Sequence, residues 1–77
     1  MENLITIQTL NDGTMARSML TYETYNDALS ALYSTMASAM ANTNLIKCIC
    51  VLMSDIGMID KQDIFERPQD NPVEEVE

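Results

Sequence analysis

Apolar positions recur along this chain with two different periods, and the switches between them mark out five elements. Residues 3–10, NLITIQTL, alternate loosely and are rich in Ile and Thr, which predicts a strand. Asn11-Asp12-Gly13 follows, where Asn-Asp and Asp-Gly both offer the positive φ of a tight hairpin turn. Residues 14–22, TMARSMLTY, then run back as a second strand, with Met15, Arg17 and Met19 on one face and Ala16, Ser18 and Leu20 on the other. The period next lengthens. Tyr25, Leu29, Leu32, Met36 and Met40 fall at steps of four, three, four and four, one stripe on a helix over 25–41. Ala28, Ala37 and Ala39 widen the stripe. Thr24 with Asp27 three residues on is a capping-box start, and Asn42-Thr43-Asn44 supplies residues that tolerate a left-handed stop.

The last third returns to strand. In LIKCICVLMS (45–54), Ile46, Cys48, Cys50 and Leu52 point one way and Leu45, Ile49, Val51 and Met53 the other. Both sets are apolar, as in a central strand covered on two sides. Ser54-Asp55-Ile56-Gly57 signals a turn into MIDKQDIFER (58–67), whose charges suit an edge strand. Pro68 has no N–H to donate and ends the pairing.

These elements predict an α+β domain, ββαββ, over residues 1–67. A four-stranded antiparallel sheet in the order 2-1-3-4 makes every neighbour antiparallel and places the two most apolar strands in the middle. One helix covers one face. The other face keeps Ile49, Val51 and Met53 of the third strand, with either Leu4 and Leu10 or Ile5 and Ile7 of the first. A patch of that size predicts self-association through Ile49, Val51 and Met53, or else along a sheet edge.

Charge changes the picture at the C-terminus. The formal net charge is −8, and residues 68–77 hold Asp70, Glu74, Glu75 and Glu77 with no base. They read as an acidic disordered tail, two valines aside. The body then sets Arg17, Lys47, Lys61 and Arg67 against eight acids. No basic stripe exists to displace counterions from nucleic acid phosphates. The longest apolar run, Leu45–Met53, is broken by Lys47 and too short to span a bilayer, and no signal-peptide pattern opens the chain. The expectation is a cytoplasmic protein with reduced thiols.

Candidate chemistry is thin. Cys48 and Cys50 share one side of a strand, without the His or further Cys that four-coordination needs. They read as buried thiols packing as small hydrophobes, and the alternative is four thiolates gathered from two chains. Asp55, Asp60, Asp63 and Glu66 fit neither a calcium loop nor a catalytic carboxylate pair, and a solvated edge strand explains them. Ser30, Ser34 and Ser38 form a helix ridge without a base. No catalytic residue, metal ligand or cofactor is expected. Arg17 and Lys47 are the candidate contacts for an anionic ligand or partner, although Arg17 also suits a stem laid over Met15 and Met19. Met15, Met19 and Met58 are the methionines expected at the surface, while Met36 and Met40 belong to the helix stripe.

TLNDGT with ARS (9–14, 16–18), STMASAMANTN (34–44), KCIC (47–50) and Phe65-Glu66-Arg67 resemble short uncharacterised proteins encoded by phages and prophages of Gram-positive bacteria. The resemblance spans roughly residues 4–67 and implies a small accessory protein in the host-cell cytoplasm, with no site residues carried over. The leading expectation is therefore a non-enzymatic phage-type protein that homo-oligomerises and acts by binding, against a host defence protein. The alternatives are an oligomer that sequesters a small nucleotide-like ligand between subunits, or a virion assembly protein.

Overall fold

The computed structural model describes residues 1–67; the expected acidic tail lies outside the described residues. Five elements follow in order: β1 (Glu2–Leu10), β2 (Met15–Tyr22), α1 (Tyr25–Ala41), β3 (Leu45–Ser54) and β4 (Ile59–Glu66). They form the ββαββ fold, with one antiparallel sheet in the order β2-β1-β3-β4.

Both hairpins turn by the same device. The Gly13 N–H donates to the Leu10 carbonyl oxygen at 2.9 Å and the Gly57 N–H to that of Ser54 at 2.9 Å. The two glycines have φ of 92° and 91°, and no other described residue has a positive φ. Asn11 and Asp12 thus stay in ordinary conformations, and the tight turn expected from their tolerance of positive φ is a three-residue turn closed by glycine. The Thr14 N–H donates to Asp12 Oδ1 at 2.8 Å, and that bond holds the Asp12 carboxyl below its ordinary range.

The core lies between α1 and one sheet face. Leu4, Ala28, Leu32, Met36, Ala39, Leu45, Cys48, Cys50 and Leu52 are buried together. The helix lies against its sheet along Ala28, Leu32, Met36 and Ala39, a line rotated from the expected stripe. Tyr25 and Met40 are 41% and 56% exposed. Two small alanines let the helix backbone approach β1 and β3 closely, so the larger Tyr25 and Met40 are pushed to the flanks. The helix covers β2 only in part: Tyr22 at its end packs against the core, while Leu20 points to the helix side yet remains 56% exposed.

Thr24 caps the helix by accepting from the Asp27 N–H at 3.1 Å. The other end departs from expectation. Asn42 has φ −93° and ψ 103°, so no left-handed residue stops the helix. Arg67 serves the freed carbonyls instead, Nη2 donating to Met40 O at 3.1 Å and Asn42 O at 3.2 Å. A cation there also meets the negative end of the helix dipole.

Two bulges re-aim side chains. Between Thr9 and Leu10 the register with β3 jumps from Lys47 to Leu45, leaving Ile46 as the extra residue. Leu45, expected beside Ile49, turns into the core and is 3% exposed. Between Leu52 and Met53 the register with β4 jumps from Lys61 to Ile59, with Asp60 extra. Ile59 thereby comes opposite Met53, although strict alternation would separate it from Ile64.

Candidate functional site

The sheet face turned away from the helix is the candidate interaction surface. Cross-strand pairing lays it out in rows. Met19, Ile5, Val51 and Gln62 form one row; Arg17, Ile7, Ile49 and Ile64 the next. Toward the β3–β4 turn lies the row Thr21, Asn3, Met53 and Ile59, and toward the other end Met15, Thr9, Lys47 and Glu66. Its centre is apolar and half-buried by neighbouring strands alone, while Met15, Met19, Ile59 and Ile64 are exposed.

Most residues predicted for a site come together here. Arg17, Lys47, Met15, Met19, Ile49, Val51 and Met53 all share this face, and β1 contributes Ile5 and Ile7 rather than Leu4 and Leu10. Met58 does not join them; it is exposed beside the β3–β4 turn, where its N–H donates to Ser54 Oγ at 3.2 Å. Ile59 and Ile64 were not readable as members, because the Asp60 bulge that aligns them leaves no mark in the residue pattern.

Polar groups knit one end of the face. Asn3 Nδ2 donates to Met53 O and to Asp55 Oδ1, each at 3.1 Å, and Thr21 Oγ1 donates to Asn3 Oδ1 at 2.8 Å. The Asn3 amide, and then the N-terminal ammonium 3.4 Å away, hold the Asp55 carboxyl below its ordinary range. Of the four cations, Lys61 pairs with Asp63 at 3.8 Å and lies 5.7 Å from the Tyr33 ring centre. Arg67 is committed to the helix end. Arg17 and Lys47 are left to the open face.

The cysteines lie on the other side. Cys48 and Cys50 are wholly buried under the helix with sulfurs 3.8 Å apart. Burial, then the neighbouring Cys48, pushes the Cys50 thiol up to about 12. Thiols facing the intramolecular core cannot meet a second chain across the open face, so four thiolates are not gathered there. Among the described residues no group of three or more His, Cys, Asp or Glu side chains could hold a metal ion. Ser30, Ser34 and Ser38 are at the helix surface. No helix of the described residues is long and apolar enough to cross a membrane.

A groove of about 430 Å³ lies between α1 and β4 and is lined by Tyr33, Met36, Ala37, Met40, Asp63 and Ile64. Met40, expected in the core, is one of its walls. Comparison with family models, curated proteins and solved structures finds no match to this chain.

Proposed function

We propose that this chain is a non-enzymatic phage-type accessory protein that self-associates through its open sheet face and acts in the cytoplasm by binding, with a host defence protein as its target class. The observation that carries the reading is the uncovered row pair Met19-Ile5-Val51 and Ile7-Ile49-Ile64. The helix occupies only the opposite face, and contiguous apolar surface of this extent is characteristic of association sites. The resemblance to phage accessory proteins supports the setting, and the acidic body supports a basic surface on the target.

Light scattering at micromolar concentration tests it. The expected mass is at least twice the 8.6 kDa of the chain, and Val51→Lys is expected to return it to the monomer value with the fold retained. An 8.6 kDa species across a broad concentration range overturns the reading.

The joint placement of Arg17 and Lys47 on this face favours one second reading, a nucleotide-like anion held between subunits. Addition of nucleoside phosphates would then raise the melting temperature, and Arg17→Ala would abolish the rise.

A further inference from the structure

Resting on self-association through the open face, we infer that its occupant is a second copy packed sheet to sheet about a twofold axis parallel to the strands, with Arg17 paired to the partner's Glu66.

Area supports a second copy. Strands about 4.8 Å apart and residues about 3.3 Å apart give four strands of eight residues a plane of roughly 500 Å². Two copies therefore cover roughly 1,000 Å² before side-chain relief is counted, the size at which specific interfaces begin. Aligned sheet packing about 10 Å apart is the ordinary way to fill such a core.

The charges then choose the axis. A twofold axis lying between the sheets can run along the strands or across them. Across the strands, β2 lies over the partner's β2. Centred on the two apolar rows, that arrangement sets Arg17 about 7 Å along and about 10 Å above the partner's Arg17, a like-charge juxtaposition. Along the strands, β1 lies over the partner's β3 and β2 over the partner's β4. Ile5 then meets the partner's Val51, Ile7 meets the partner's Ile49, and Arg17 lies over the partner's Ile64. Glu66 is the next residue of that face along β4, so the same displacement of about 7 Å and about 10 Å now separates opposite charges. Extended Arg and Glu side chains at the rim close that gap, and the twofold makes the contact twice. Lys47 lies over the partner's Thr9, beside its own Glu66.

Charge reversal tests the arrangement without touching the apolar centre. Arg17 and Glu66 are both exposed in the single chain, so the reversals are expected to leave its circular dichroism unchanged. Arg17→Glu alone and Glu66→Arg alone are each expected to raise the dimer dissociation constant about tenfold or more, and the double reversal to bring it back to within about threefold of wild type. A dimer that the double reversal weakens as much as the two single changes together overturns the axis while leaving self-association standing. A wild-type monomer at all concentrations overturns both.

Discussion

Arg67 Nη2 donates to the Met40 carbonyl oxygen at 3.1 Å, tying the residue after β4 to the last turn of α1 across 27 positions of sequence. Its Nε donates to Leu45 O at 3.2 Å, its backbone N–H to Ile46 O at 2.7 Å, and its guanidinium lies 5.2 Å from the Phe65 ring centre. One residue thus joins the helix end, the bulge in β3 and the edge strand. Arg67→Ala is expected to cost about 1–2 kcal/mol, since charge-assisted bonds to the helix-end carbonyls are lost. Chemical denaturation measures the loss, and faster amide exchange confined to the last helical turn would locate it. Arg67→Lys should recover the charge but not the branched geometry, and so restore only part.

Leu32 is fully buried at the centre of the helix contact. Leu32→Ala is expected to destabilise by about 2–5 kcal/mol, transfer and cavity terms together. Denaturation of that variant beside Met40→Ala separates the observed helix phase from the stripe read in the sequence. Exposed Met40 should cost far less.

Glu2 brings a carboxyl into the sheet's end. It is 7% exposed, and its Oε2 has no hydrogen-bond partner. The neighbouring Asp60 carboxyl first, then burial, raises its affinity for a proton. An acid whose folded value is raised stabilises the fold fully below its unfolded value, and that contribution disappears as pH rises through the folded value. Melting temperature should therefore fall from mildly acidic pH toward neutrality on account of this group. Glu2→Gln, which cannot ionise, should melt higher than wild type at pH 7 and show a flatter dependence over the same interval.

Cys48 and Cys50 should be inert to alkylation in the native protein. Burial removes access to both, and the Cys50 thiol, pushed up to about 12, carries almost no thiolate at pH 8. Mass spectrometry after iodoacetamide is expected to show no adduct without denaturant and two adducts with it. Rapid labelling of the folded protein would mean that the helix lifts from the sheet.

The residue pattern alone determined the five elements, the strand order and the Thr24 cap. Each of these depends on local periodicity, or on the rule that sequential strands pair with short connections. It also set Arg17, Met15 and Met19 on one face of the second strand and Ile49, Val51 and Met53 on one face of the third, because alternation within a regular strand fixes a face. The pairing register through β1 joined the two sets on one side of the sheet. Tertiary structure decided what alternation leaves open. Whether Leu4 or Ile5 meets the helix depends on which side of the sheet the helix packs, and a strand with apolar residues on both faces does not declare it. The bulges at Ile46 and Asp60 exchange Leu45 and Ile59 between faces. They arise from register against a neighbouring strand, so no property of Leu45 or Ile59 in its own segment announces the change. The helix phase was settled by the close approach that Ala28 and Ala39 permit, and its C-terminal cap by an arginine brought from β4's far end. Caps formed within one turn can be read from adjacent residues, whereas a cap supplied through the fold exists only after the sheet has assembled.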